Sequence, residues 1–318
     1  MRIGLTYNLK PEGAADDAFE EFDSLETVEA LERALRACGH EPLRLGWGDA
    51  MLEALARERI DGVFNFAEGI GGRGRESQVP AMLELLGIPF TASPALAIGL
   101  TLDKALAKLV AKAHGITTAP WSLVPADAAA DDPDAKHSES LRFPLFAKPA
   151  CEGSSMGITS RSLCNDENAL RTTVNTLTKY GPVLVEEFLP GDEFTVGIID
   201  GEVLAVMQVL PRAASDEAFI YSLDVKRNYQ QLVDYALVDA PDVADVALGV
   251  WRAFGLRDVA RVDVRRDRDG IANFVEVNPL PGMHPVNSDL VIMANARGMT
   301  HQELVAGVMR SAERRWSA

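Results

Sequence analysis

The chain has 318 residues, 47% of them hydrophobic and 25% charged, and a formal net charge of −16. At about 100–200 residues per domain this predicts two or three soluble domains, and the acidic excess argues against nucleic acid, whose phosphates need clustered Lys and Arg. No run approaches about 18 consecutive apolar residues, so no membrane span is expected, and Cys38, Cys151 and Cys164 lack the number and spacing of a disulfide framework or zinc site, as in a reduced cytoplasmic protein.

Arg2–Tyr7 reads as a buried strand with no leader segment before it, and Glu12–Asp23 as an acidic loop. Asp23 and Glu26 suit a capping box for a helix carrying Leu25, Val28, Leu31, Leu35 and Cys38, which Gly39 ends. Strand Glu41–Leu45, helix Ala50–Arg59, strand Gly62–Asn65, helix Gln78–Leu86 and a short strand after Pro89 follow. This alternation predicts a parallel sheet flanked by helices over residues 1–101.

Leu102–His114 is expected to be one helix with Lys104 and Lys108 near its start, and residues 125–140 an exposed loop. Strand Phe143–Lys148, the loop Glu152–Gly157, helix Asn165–Thr178 and strand Pro182–Glu187 make a smaller second domain, residues 102–183. Residues 184–318 form a third, rich in strands and ending in helix His301–Arg315.

Within that last domain, two alternating runs flank Asp269-Gly270, a strong hairpin signal. With those residues at the tip, Arg261 faces Asn278, Asp263 faces Glu276, Val262 faces Val277 and Val264 faces Val275. The valines share one face and the polar residues the other. Two carboxylates directly opposite repel unless something compensates. Mg²⁺ takes hard oxygen ligands together with substrate phosphates, and an Asn oxygen can join them. The alternative is a solvated polar face on which Arg261 pairs with Asp263.

Lys148 at a strand end, followed by Glu152-Gly153-Ser154-Ser155-Met156-Gly157, can bring a cation and backbone N–H groups to phosphate. The segment lacks the pattern of a Walker A or dinucleotide loop, and a plain turn fits it as well. Glu186 and Glu193, taken singly, read as surface charges.

Taken together, Leu102-Asp103-Lys104, Lys148-Pro149 with its loop, Val185–Val196, Arg261-Val262-Asp263 and Glu276–Met283 resemble the ATP-grasp superfamily and, within it, the D-alanine–D-alanine ligase family. The resemblance spans nearly the whole chain. It implies an α/β fold, α+β in its C-terminal part: an ATP-grasp fold preceded by a parallel-sheet domain. It implies an ATP-dependent carboxylate–amine ligase working through an acyl phosphate, with two Mg²⁺, or Mn²⁺ in their place, and small amino-acid or carboxylate substrates. A homodimer would fit the family. Lys104 and Lys148 would hold ATP phosphates, and the loop Glu152–Gly157, with Glu152, Ser154 and Ser155, would close over them; Glu186, Leu189 and Glu193 would meet adenine and ribose. Asp263, Glu276 and Asn278 would carry the metal. Arg261, Gly282, Ser154 and Lys226 would serve the reacting groups.

The amino-acid side departs from the family. Glu20 is the nearest candidate for the Glu that holds the first amino group. Glu68 stands where the family has His, and Arg75-Glu76 follows in place of its acidic step. Arg227 replaces a Tyr and offers a guanidinium to a second carboxylate. Ser288 corresponds to the serine that meets the acceptor carboxylate, at a spacing about two residues longer. His284 fits either a base or a packing role. A specialised ligase for another substrate pair therefore competes with the dipeptide ligase of peptidoglycan. A nucleotide-binding protein without ligase activity would be expected to lack Lys104, Lys148, Asp263, Glu276 or Asn278, all of which are present.

Overall fold

The computed structural model describes residues 1–11, 13, 19–127, 141–212, 219–220 and 222–317, with the backbone alone for Asp224 and Lys226. Part of the predicted acidic loop, most of the predicted loop at 125–140, Tyr221 and the Lys226 side chain lie outside them.

The chain opens with strand β1 (Arg2–Thr6), helix α1 (Leu25–Ala37), β2 (Glu41–Gly46), α2 (Asp49–Arg57), β3 (Gly62–Asn65) and α3 (Gln78–Leu86). The three strands form a parallel sheet in the order β2-β1-β3. The strand expected after Pro89 reduces to a single bridge between Val63 and Phe90. The N-cap of α1 is Ser24, whose hydroxyl accepts from Thr27 N, rather than Asp23. The Asp23 backbone is tied into a bridge with Leu9 and accepts from Lys10 N.

The single helix expected over Leu102–His114 is two, α4 (Ala95–Leu102) and α5 (Lys104–Ala113). Asp103 breaks them, its carboxylate accepting from Ala105 N and Leu106 N as the N-cap of α5. Next come β4 (Trp121–Val124), β5 (Leu145–Pro149), β6 (Leu163–Cys164), α6 (Glu167–Leu177) and β7 (Val183–Glu187). They give an antiparallel sheet ordered β4-β7-β5-β6.

The remainder holds β8 (Glu193–Ile199), β9 (Glu202–Pro211), α7 (Leu223–Arg227), α8 (Tyr229–Leu232), β10 (Val233–Leu237), α9 (Pro241–Phe254), β11 (Val259–Arg266), β12 (Ala272–Asn278), α10 (Asp289–Ala296) and α11 (His301–Trp316). Its antiparallel sheet runs β10-β9-β8-β11-β12. Helix α9 lies along one face, where Val243, Ala247 and Val250 bury against Val262, Val264 and Phe274. On the other side Met207, Leu290 and Met293 share a core with Leu5, Leu31 and Leu35 of the first sheet layer, and α11 packs on α1. Burial of such side chains stabilises by about 1.5–3 kcal/mol each. That shared core fixes the first sheet against the last, and so positions the cleft between them.

The β11–β12 hairpin keeps the expected register for Arg261↔Asn278, Val262↔Val277 and Asp263↔Glu276. Beyond Asp263 the register slips by one, and Val264 faces Phe274 instead of Val275. A bulge shifts the ladder there, and the tip is the five-residue segment 267–271 instead of two residues. Asp267 organises it, its carboxylate accepting from Asp269 N and Ile271 N.

Candidate active site

The polar hairpin face opens on two cavities. One lies between the β4-β7-β5-β6 sheet and the hairpin, with Phe146, Phe188, Leu189 and Val275 as apolar walls and Lys148, Ser155, Glu186, Glu193 and Asp263 as polar groups. The other, about 500 Å³, is bordered by Glu20, Glu68, Ser154, Lys104, Arg261, Asn278, Gly282 and Ser288. Glu276 lines both. The loop after β5 reaches both as well, through Ser154 on one side and Ser155 on the other.

That loop is shaped by its backbone. Ser154 and Ser155 have φ of 47° and 57° and Gly157 of 76°, all left-handed. A Cβ at Gly153 would lie 2.1 Å from Glu21 Oε1, so a larger residue there would push the Glu21 carboxylate aside. Glu152 turns away from both cavities. Its carboxylate lies 3.5 Å from Arg75, and its carbonyl accepts from Lys104 Nζ.

Glu186 on β7 is buried, correcting its reading as a surface charge. It sits between two buried lysines: Lys108 Nζ at 2.7 Å and Lys148 Nζ at 2.7 Å. Burial opposes the Glu186 carboxylate, but the two ammonium groups outweigh it and bring its pKa down to about 2. Burial also opposes the Lys148 cation, while Glu186 and Glu276 overcome it and hold its pKa above the usual range. For Lys108 burial prevails and the pKa falls. Lys108 was not among the predicted site residues, although its position four residues after Lys104 places both on one side of α5. Lys104 faces the second cavity, 3.4 Å from Glu276.

On the hairpin, Arg261 donates to Asp263 at 3.0 and 3.2 Å and to Asp289 at 3.2 Å. The pairing anticipated as the alternative to metal binding is therefore present. Asn278 Oδ1 accepts from Leu280 N at 2.8 Å. Thr195, opposite Asp263 on β8, keeps a buried hydroxyl without a hydrogen-bond partner among the described residues. Two facing carboxylates, an amide oxygen and this hydroxyl are hard oxygen donors, and they fit Mg²⁺ sharing its shell with phosphate. In the first cavity, Glu193 pairs with Arg265 at 3.1 Å, and the Arg265 guanidinium covers the Phe188 ring at 4.9 Å.

Glu20 and Arg227 meet each other at 2.8 Å, with Lys10 also 3.2 Å from Glu20. Arg227, with Lys10, holds the Glu20 carboxyl below its usual pKa. Ser288 Oγ accepts from His284 N, and a Cβ at Gly282 would stand 2.9 Å from that oxygen. His284 accepts from Val286 N and lies 3.5 Å from Glu26, which suits a structural role.

The sequence pointed to Glu68 and Glu76, but not to their gathering with Glu21 and Asp23 in one cavity wall. Burial, then Glu76, Glu21 and Asp23, push the Glu68 carboxyl well above the ordinary range. Burial is also the main cause that lifts Asp23 and Glu76 to about 7 each. Arg75 is occupied elsewhere, donating to both Glu21 oxygens at 2.8 and 3.0 Å and to the Cys151 carbonyl.

Among the described residues no helix is long and apolar enough to cross a membrane. A family model described as the D-ala D-ala ligase C-terminus matches residues 110–310. A D-alanine–D-alanine ligase of Aquifex aeolicus is 31% identical over 288 residues, covering 89% of this chain and 93% of that protein. One of Actinobacillus pleuropneumoniae serotype 5b is 35% identical over 263 residues, covering 82% and 84%. The protein y4sG of Sinorhizobium fredii, itself described as uncharacterized, is 31% identical over 91% of this chain and 88% of its own. A solved D-alanine–D-alanine ligase of Bacillus anthracis, complexed with ATP, superposes with a TM-score of 0.76 at 23% identity, covering 100% of this chain and 99% of that one. The chain is an ATP-grasp ligase of the D-alanine–D-alanine ligase family.

Proposed function

We propose that the protein binds ATP in the cavity between the small antiparallel sheet and the hairpin, and uses it to join a carboxylate to an amine held in the second cavity. The observation that carries this reading is Glu276, which faces Asp263 across the hairpin and lines both cavities. The phosphate end of a nucleotide and the carboxylate it activates would meet at that residue.

In this reading residues 1–101 form one wall of the amino-acid cavity, 102–183 the lobe that covers the nucleotide and 184–318 the lobe with the metal site. Phe146, Phe188 and Leu189 would enclose adenine, and Glu186 and Glu193 would contact adenine and ribose. Lys148 and Lys108, released in part from Glu186, would face the phosphates. Asp263, Glu276 and Asn278 would hold Mg²⁺, which supplies charge neutralisation for the transferring phosphoryl group.

A substrate carboxylate oxygen attacks the γ-phosphorus and ADP leaves. An amine then attacks the acyl carbon, phosphate departs, and the amine loses a proton. Arg261 and the backbone N–H of Gly282 would stabilise negative charge on the reacting oxygens. The loop carrying Glu152, Ser154 and Ser155 would exclude water, which otherwise hydrolyses the acyl phosphate. Lys226 would cover the substrate from α7, and Ser288 would meet the acceptor carboxylate.

The test is phosphate release from Mg-ATP against a panel of D- and L-amino acids. Release stimulated by particular amino acids, with a dipeptide as product, supports the proposal. Absence of stimulation across a broad panel contradicts it.

A further inference from the structure

The cavity assigned to the amino acid has the charge balance of a cation site. Its walls carry seven carboxylates against three cations. Each of those cations already has a carboxylate: Lys10 has Glu20, Lys104 has Glu276, and Arg261 has Asp263 and Asp289. The excess concentrates at Glu68 and Glu76. Glu76 is 7% exposed, borders the cavity, and has no hydrogen bond or ion pair among the described residues. Glu68 has none either, and borders the same space.

The segments that carry the two residues are packed against each other through the backbone. Gly69 has a φ of 71°, donates its N–H to Asn8 Oδ1 at 3.0 Å, and leaves so little room that a Cβ would lie 2.1 Å from the Arg75 carbonyl oxygen. The turn after Glu68 is thus pressed against the residue before Glu76. An unpaired buried carboxylate is costly, and a second one beside it adds repulsion. A binding partner of opposite charge relieves both. An ammonium or guanidinium on a flexible stem would supply that charge from within the cavity both residues line.

We propose that Glu68 and Glu76 form a subsite for a cationic side chain, so that the amino acid this enzyme activates or accepts is a basic one. This rests on the ligase reading for the identity of the cavity. Within it, the change from a family His to Glu68 converts a site for small neutral amino acids into one selective for positive charge.

The test is calorimetric binding to the whole protein with Mg²⁺ and a non-hydrolysable ATP analogue. The probes are both enantiomers of lysine, ornithine and 2,3-diaminopropionate, with norleucine and alanine as uncharged controls. At least one basic amino acid should bind tenfold or more tightly than norleucine. Glu68→Gln and Glu76→Gln, each replacing an acid that a bound cation would ionise with a neutral amide of similar shape, should cut that preference at least fivefold without weakening norleucine. Equal binding of norleucine, an unchanged preference in both variants, or binding of none of the basic probes overturns the proposal. Phosphate release from ATP in parallel separates it from the reading beneath it. Basic preference without phosphate release keeps the subsite and contradicts the ligase. Release with neutral amino acids and no basic preference does the reverse.

Discussion

Glu20 and Arg227 form an ion pair at 2.8 Å although 207 residues separate them in the chain. The contact ties the short helix α7 to the segment before α1, beside the second cavity, which Glu20 lines. In the proposed reading the closed pair holds the amino acid in the cavity, so the two residues act as one latch. Arg227→Ala and Glu20→Ala should therefore raise the KM for the amino acid by similar factors, and the double variant should be no worse than either. The pair is partly exposed, so its coupling is expected within about 1 kcal/mol. Additive effects in a double-mutant cycle would show that each meets the ligand independently.

The Glu186 carboxylate sits between Lys108 and Lys148, and its pKa near 2 is below the ordinary 4.5. A carboxylate with a depressed folded-state pKa contributes stability above its unfolded value, and that stability is lost as pH falls from about 4.5 through about 2. Glu186→Gln should cost on the order of 3–5 kcal/mol at pH 7, because two buried ammonium groups lose their counter-charge. The difference from the parent should shrink in urea titrations at pH 3. A variant as stable as the parent at pH 7 would mean that the lysines are satisfied by other groups.

Glu76 has the opposite sign. Its pKa is raised from 4.5 to about 7, mainly by burial. The protein is therefore favoured with Glu76 protonated, a contribution fully present below about 4.5 and lost as pH rises through about 7. Glu76→Gln, which mimics the neutral acid, should be more stable than the parent at pH 8 by on the order of 1–3 kcal/mol and no more stable at pH 4. Thermal unfolding at the two pH values checks this. Equal gains at both would point to packing and away from charge.

The sequence revealed much of the hairpin because strict alternation sets which residues share a face. Arg261, Asp263, Glu276 and Asn278 fell together as that alternation requires. The slip after Asp263 was hidden, since it depends on Asp267 folding its carboxylate over the tip, a local competition that the Asp-Gly signal does not encode. Helix α4 escaped notice because Ala95–Leu102 is apolar nearly all round and has no periodic face. The burial of Lys108 and Glu76 went unforeseen for a shared reason. A charged residue looks solvated until tertiary packing buries it, and both acquire their meaning from strands and turns distant in the chain.

The central claim is that Glu276 joins the nucleotide cavity to the amino-acid cavity. Its most direct test is amino-acid-stimulated phosphate release from Mg-ATP by Glu276→Ala, with the variant's melting temperature confirming the fold. The expected result is a loss of at least 100-fold with the melting temperature retained. Phosphate release within a few-fold of the parent would contradict the account.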